Sequence, residues 1–306
     1  MLRALISLGT NTSRFLVVRE GPDGELEQVE HDQIGTRLGE GLRDGGPFAP
    51  AAVERNLAAV RTFAARARDL GAPLACIATS AMRRASDADA FAARVREIAG
   101  VPLEVIAGRV EAACSYRGAT AGAGLGDARV AVLDIGGGST ECAVGAAGAL
   151  EDAVSLEIGS VRIAERYPEL TGSAPASVAR AAAERARAEI ADTLAPLRAF
   201  VPVAHVRCVA GTPLTLAAVA AGTHVDRVSG TTLTLETIEA ELARLLALPL
   251  AERRALPGML PQRADVLPAG ALILAEALRA LGATAGLLEA NDLLLGYLLT
   301  HPLARK

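Results

Sequence analysis

Two distant stretches of the chain share one pattern of apolar and polar positions. Residues 4–8 are apolar, 9–13 form a polar turn, and 14–19 read as a strand. Residues 130–134 are again apolar, 135–139 form a glycine-rich turn, and 140–144 return as a strand. Side by side, ALISLGTNTSRFLVV and VAVLDIGGGSTECAV are both strand, glycine-containing hairpin with hydroxyls, strand. A duplicated unit of this kind predicts two related α/β domains facing each other. Between the copies, 50–69 reads as an amphipathic helix that opens on proline and closes before Gly71. A strand at 73–78, a loop at 79–86 and a helix at 87–99 follow. A strand at 101–106 and a helix from 110 to about 121 complete the first half. The Gly- and Ala-rich stretch 119–127 reads as the link between halves. Beyond the second hairpin, helices are predicted at 161–167, 175–198, 212–221, 235–246, 265–281 and 292–299, with short strands at 205–210 and 286–289. The domains are expected at 1–120 and 121–306, with a C-terminal helix near 290–306 packing back on the first.

Composition narrows the class. A length of 306 residues exceeds one small core and suits two domains. Aromatics are only 3% and Trp is absent, so packing must rest on Ala, Leu and Val. The net charge of -4 leaves no overall basic footprint for nucleic acid, and attraction for a polyanion must come from locally placed arginines. Cys76, Cys114, Cys142 and Cys208 are far apart in apolar stretches, so disulfide or zinc chemistry is not expected. The histidines have no ligand-like spacing. The apolar run at 2–8 is short and leads straight into a turn, unlike a signal peptide. The apolar run at 266–281 carries Glu276 and Arg279 at helical spacing and reads as a packed helix, not a membrane span. A soluble cytoplasmic protein is the expectation, and a homodimer is compatible with it.

The sharpest chemical signal is Asp134-Ile135-Gly136-Gly137-Gly138-Ser139-Thr140-Glu141. Consecutive glycines let backbone approach a phosphate, and successive amides in such a turn form an anion nest. Ser139 and Thr140 add hydroxyl donors. Asp134, at the strand end, can hold Mg²⁺ directly or through water; Glu141 can do the same or position a water. The plain alternative is a glycine hairpin with a capping Asp. In the first half, Gly9, Thr10, Asn11, Ser13 and Arg14 form the counterpart turn. Thr79, Ser80 and Arg83 lie between a strand and a helix, a placement that suits an anion. Glu111, in the first turn of a helix, can activate water if it faces a cleft; otherwise it serves the helix dipole. Gly211 and Thr212, like Gly159 and Ser160, are Gly-hydroxyl turns at helix starts, and N-caps are their plain reading.

Taken in order, the stretches LGTNTSRFLV, ATSAMRRASDADAF, GRVEAACSYRGA, VLDIGGGSTECAVG, SLEIGSVRIAERY, AGTPLTLAA and RADVLPAGALIL resemble the exopolyphosphatase/guanosine pentaphosphatase family. The resemblance runs from residue 8 to residue 274. It implies two actin-like, ribonuclease H-like α/β domains around a cleft, in a short two-domain form. It also implies Mg²⁺-dependent (or Mn²⁺-dependent) release of terminal phosphate from polyphosphate or guanosine pentaphosphate, with no nucleic-acid or membrane partner. By motif it places the catalytic base on Glu111, the second-loop carboxylates on Asp134 and Glu141, and a phosphate-binding arginine on Arg83.

The chain departs from the family pattern at three places. Ser7 stands where the first loop normally begins with Asp, so a negative charge for a metal is missing there. Asp87 stands where Asn is common. Residues 289–294 replace a segment that often carries Ser, Asp and Arg. Ser7 keeps a second reading open, a non-catalytic polyphosphate or alarmone sensor. A sugar or acid kinase of the same superfold is the third.

Overall fold

Alternation along the first strands decides the first layer. In the computed structural model, which describes residues 1–301, β1 (Leu2–Leu8), β2 (Ser13–Glu20) and β3 (Leu26–Ile34) form an antiparallel meander. After α1 (Pro50–Asp69), β4 (Leu74–Ala78) joins β1 in parallel. After α2 (Ser80–Arg84) and α3 (Ala88–Ala99), β5 (Leu103–Val105) joins β4 in parallel. Successive side chains point to opposite faces. Ala4, Ile6, Leu8, Phe15 and Val17 therefore enter one buried cluster with α1, while Leu5, Leu16 and Val18 enter another. Burial on both faces explains the continuous apolar run of β1.

The chain then crosses through α4 (Gly108–Thr120) and repeats the pattern. β6 (Val130–Ile135), β7 (Thr140–Ala146) and β8 (Ala149–Leu156) form a second meander. α5 (Ser160–Arg166) and α6 (Ala176–Thr193) lead to β9 (His205–Val209), parallel to β6. α7 (Gly211–Ala221), β10 (Thr232–Thr234), α8 (Leu235–Ala247), α9 (Leu250–Arg254) and α10 (Leu267–Ala280) precede β11 (Ala285–Leu288), and α11 (Leu293–Thr300) follows it. The sheet orders are β3-β2-β1-β4-β5 and β10-β11-β9-β6-β7-β8. Without the edge strand β10, the second order repeats the first. The fold is α/β with two ribonuclease H-like sheets, the actin-like arrangement.

Several elements differ from expectation. The helix expected over 175–198 stops at Thr193, and Ala195–Phe200 is a 3-10 segment, because Pro196 has no amide to continue the ladder. The loop expected at 79–86 contains the short α2. Strands β8 and β10 and helix α9 were not anticipated. β8 is exposed over its first half, Ala149–Asp152, where two apolar residues precede two acidic ones and no alternation shows. The helix expected at 265–281 is α10, buried almost along its whole length. Among the described residues no helix is long and apolar enough to cross a membrane.

Helices α4 and α11 join the lobes. Ala112, Tyr116 and Ala119 of α4 pack against Val132, Ala143 and Val209 of the second sheet. Cys114, on the other side of α4, meets Leu293, Leu294 and Tyr297 of α11 against the first sheet. Arg3 of β1 donates to the carbonyls of Leu298 (2.6 Å) and His301 (2.9 Å), holding the end of α11. Of the helix expected near 290–306, residues 302–306 lie outside the described residues. The helices cross at Gly118 and Gly296: a Cβ on Gly296 would overlap the Cys114 carbonyl, and one on Gly118 the Asp292 carbonyl.

In an exposed helix, Gly→Ala stabilises by about 1 kcal/mol. At this crossing, overpacking is expected to reverse the sign, and Gly296→Ala should lose about 1–3 kcal/mol. Urea unfolding midpoints test this, and a stabilised Gly296→Ala protein would refute the close crossing.

Candidate active site

The two hairpins are equivalent in register but opposite in charge. β1 and β2 set Ser7 opposite Arg14, next to the turn-closing pair Leu8 and Ser13. β6 and β7 set Asp134 opposite Glu141, next to Ile135 and Thr140. Cross-strand partners share a face, so the first hairpin presents a hydroxyl and a guanidinium where the second presents two carboxylates. The turns come together across the cleft. A Cβ on Gly137 would stand 3.1 Å from the Asn11 amide nitrogen, and one on Gly138 would overlap the Thr10 hydroxyl. Gly159 packs so closely under Gly137 that a Cβ there would overlap the Gly137 carbonyl. Only glycine permits these approaches.

Between the turns lies a cavity of about 70 Å³, walled by Ser7, Gly9, Thr10, Asn11, Thr12, Arg14, Thr79, Glu111, Asp134, the three glycines, Ser139, Gly211 and Arg263. This volume is well below that of a drug-sized ligand site and suits a small oxyanion such as a phosphoryl group. A compartment of about 260 Å³ adjoins it, sharing Arg14, Gly211 and Arg263 and adding Gln28, His31, Gln33 and Asn291. A larger cavity of about 630 Å³ opens elsewhere on the second sheet, but no carboxylate lines it and it contains none of the glycine turns.

Two buried carboxylates, Glu111 and Asp134, line the small cavity, and a third, Glu141, is buried beside them outside its wall. The Glu111 carboxylate accepts from Arg83 Nη1 (2.9 Å), which also donates to the Ile106 carbonyl (3.0 Å). Asp134 Oδ2 accepts from Ser115 Oγ of α4 (2.6 Å), and Glu141 Oε1 accepts from Ser155 Oγ of β8 (2.6 Å). Burial raises Glu111 to about 7; Arg83 opposes the rise and Asp134 adds to it. Burial raises Asp134 to about 6, helped by Asp292 and opposed by Ser115 and Arg14. Burial pushes Glu141 well up, and the charges of Glu111 and Asp134 push it further. Acidic oxygens that repel one another in a dehydrated cleft suit a hard divalent cation. Among the described residues no three His, Cys, Asp or Glu side chains form a complete metal cage. Asp134, in the cavity wall, could hold such an ion together with water and substrate oxygens, as Mg²⁺ commonly requires, and Glu141, outside the wall, could reach it through water.

Some of the residues expected to bind phosphate are used elsewhere. Ser13 spends its buried hydroxyl on Thr36 and Asn56 (both 2.9 Å), and Thr140 donates to the Ile158 carbonyl (2.7 Å). Thr212 is buried and packed against Gly270 of α10, outside the cavity wall. Arg83 serves Glu111 first, although its Nη2 has no partner among the described residues. Gly9, Thr10, Asn11, Arg14, Thr79, Gly136, Gly137, Gly138, Ser139 and Gly211 do line the cavity. Ser80 lies just behind Gly138, its hydroxyl buried without a partner among the described residues. The Asn11 amide is likewise buried with neither end paired among the described residues.

Sequence reasoning missed Arg263, Ser115, Ser155 and Asp292. Arg263 lies over Gly211 and donates weakly to Thr12 Oγ1 (3.4 Å), while its Nε has no partner among the described residues. Burial, with Arg14 nearby, lowers its pKa to about 10, the mark of a cation held without enough anion. Asp292 caps α11 through the Leu294 amide (3.1 Å) and pairs with Arg14 (2.7 Å). The sequence does hint at Ser115, one helical turn after Glu111 and so on the same face. Ser155 needed recognition of β8.

A model described as the Ppx/GppA phosphatase family matches residues 16–290. Exopolyphosphatase 2 of Mycobacterium tuberculosis (strain H37Rv) is 34% identical over 300 residues, spanning 93% of this chain and 92% of its own length. The crystal structure of an exopolyphosphatase-like protein is 28% identical, covers 98% of each chain and superposes with a TM-score of 0.88. That of an exopolyphosphatase from Cytophaga hutchinsonii, 22% identical over 98% of this chain and 97% of its own, shares the fold with a TM-score of 0.88.

The raised carboxylates make a pH prediction. Folding lifts Asp134 from 3.8 to about 6, so between those values the folded chain keeps a proton that the unfolded chain has lost. The associated stability is complete below the unfolded value and is lost as pH rises through about 6. In metal-free protein, Asp134→Asn should therefore be more stable than the native chain at pH 8, by on the order of 1–3 kcal/mol. The difference should shrink as the pH is lowered toward 4. Urea midpoints across this range in the presence of a chelator test it, and a difference that does not vary with pH would contradict the burial argument.

Proposed function

The chain belongs to the Ppx/GppA phosphatase family, and from that premise we propose that it hydrolyses the terminal phosphoanhydride of inorganic polyphosphate. The observation that carries this reading is Glu111, a buried carboxylate lifted to about 7, aimed into a phosphoryl-sized cavity between two glycine turns. A base with a pKa near the working pH is the most effective.

Substrate binding falls to the turns. Amides of Thr10, Asn11 and Gly137–Ser139 and the Thr10 hydroxyl hold the terminal phosphoryl oxygens, while the Gly9 and Gly136 amides close their own turns on the Thr12 and Ser139 carbonyls. Arg14 and Arg263 bind the preceding phosphate; both line the junction with the 260 Å³ compartment. Mg²⁺ bound at Asp134 and Glu141 would neutralise charge on the phosphoryl group and relieve the repulsion between the carboxylates. Glu111 takes a proton from the attacking water. The water oxygen bonds to the terminal phosphorus, the bridging P–O bond breaks, and the shortened chain leaves with the bridging oxygen. Arg83 and Thr79 keep the Glu111 carboxylate oriented and limit the rise of its pKa. Phosphoryl transfer depends mainly on positioning and charge, so no covalent nucleophile is required.

Guanosine pentaphosphate is the second substrate we consider. The larger compartment offers the amides of Gln28, Gln33 and Asn291 and the His31 imidazole, groups that suit a nucleobase.

Phosphate release from long-chain polyphosphate and from guanosine pentaphosphate, with and without Mg²⁺, tests the assignment. Glu111→Gln should lower turnover on the order of 10²–10⁴-fold, and native turnover should rise with pH through about 7. Undiminished turnover in Glu111→Gln would remove Glu111 as the base. Binding of either substrate without release, at saturating Mg²⁺, would favour the sensor reading; Ser7→Asp would then be expected to restore turnover.

A further inference from the structure

A second basic cluster lies at the cleft rim, outside the site described above. Arg84 ends α2, directly after the Arg83 that holds Glu111. Arg162 belongs to α5 of the other lobe, and its backbone amide donates to the Gly137 carbonyl (3.3 Å), so it stands against the catalytic glycine turn. Both guanidiniums turn to one carboxylate. Arg84 Nε pairs with Asp44, and Arg162 Nη1 lies 3.8 Å from the same Asp44 oxygen. Arg162 also pairs with Glu157.

Burial is lopsided in these pairs. The arginine side chains are only 12% and 14% exposed, whereas Asp44 is 74% and Glu157 52% exposed. Two fixed, half-dehydrated cations are thus answered by two solvent-exposed anions. Arg162 Nε is buried with no partner among the described residues. Burial and the charge of Arg84 both lower the Arg162 pKa, as expected for guanidiniums short of anion. The backbone around Asp44 is stitched to Arg84: Gly45 N donates to the Arg84 carbonyl (2.9 Å), and Arg84 Nη2 donates to the Leu42 carbonyl (2.9 Å). Only the Asp44 side chain has to turn away for another anion to take its place.

We infer that Arg84 and Arg162, one from each lobe, form a second phosphate-oxyanion station at the rim of the cleft, for which Asp44 is the stand-in. Guanidinium forks match phosphate oxygens, and a phosphate group brings more charge and more acceptors than one exposed carboxylate. Exposed ion pairs contribute little and are screened by salt, so Asp44 is easily displaced. The inference rests on the phosphatase reading for its ligand class. The phosphate group comes either from a distal unit of the chain being hydrolysed or from orthophosphate leaving the catalytic cavity.

Kinetics and calorimetry on the full chain test this with Arg84→Gln/Arg162→Gln and, separately, Asp44→Asn. If a distal unit is held, the double variant raises KM for long-chain polyphosphate about tenfold and leaves tripolyphosphate nearly unchanged. If released product is held, orthophosphate inhibition weakens about tenfold and KM stays the same. In either case Asp44→Asn should shift the same constant the opposite way, a gain that a misfolded protein cannot give. Calorimetric titration of orthophosphate, and of long-chain polyphosphate into Glu111→Gln, reads the station without catalysis. A native chain that hydrolyses nothing, yet loses a binding isotherm in the double variant, would keep the station and sink the phosphatase reading. Unchanged KM, inhibition and binding in both variants would overturn the station and leave that reading intact.

Discussion

Mutual repulsion among Glu111, Asp134 and Glu141 is the constraint on which the rest of the structure depends. Each is nearly or fully buried, which raises all three pKa values; Asp134 adds to the cost of ionising Glu111, and both add to that of ionising Glu141. Uncompensated buried charge is among the most expensive features a fold can carry. The surrounding scaffold reads as a response to it. Ser115 and Ser155 donate short bonds to two of the carboxylates, and Arg83 supplies a cation to the third. The remaining imbalance is what a phosphate-bound cation and a reactive water can use.

The duplicated fold supplies this imbalance by divergence within one register. Ser7 and Arg14 occupy in the first lobe the positions that Asp134 and Glu141 occupy in the second. One hairpin thus favours anions and the other cations, and a phosphate–metal pair suits the space between them. The Ser7 departure from the family pattern sharpens that contrast, because the first hairpin contributes no carboxylate at all. The chain answers the Arg14 guanidinium of the first lobe from elsewhere: Asp292, arriving on α11, pairs with it. The helix crossing that joins the lobes therefore also delivers a charge to the site.

Much of the architecture was legible because strand alternation and glycine placement are local. The repeat of ALISLGTNTSRFLVV in VAVLDIGGGSTECAV already implied two facing α/β units. The glycine turns announced close backbone approach, and the structure sets Gly137 and Gly138 against Asn11, Thr10 and Ser80. Element ends were harder. Pro196 cut short a helix that its apolar period would have continued, and β8 was hidden because its exposed first half does not alternate.

By itself the sequence determined the fold class, the hairpin duplication and the residue types of the site, since periodicity, turn chemistry and motif order need no long-range information. Only the tertiary structure decided which of those residues face the cavity. Ser13 and Thr140 have the right chemistry, but strand direction turns their hydroxyls into the lobes, toward Thr36, Asn56 and the Ile158 carbonyl. Arg263 and Asp292 lie more than 240 residues from Thr12 and Arg14, which they meet. No local pattern encodes such a meeting; it follows from how the turn before α10 and the start of α11 pack over the first hairpin. The pKa values belong to the same level, because desolvation is a property of the closed cleft and not of any carboxylate in the chain.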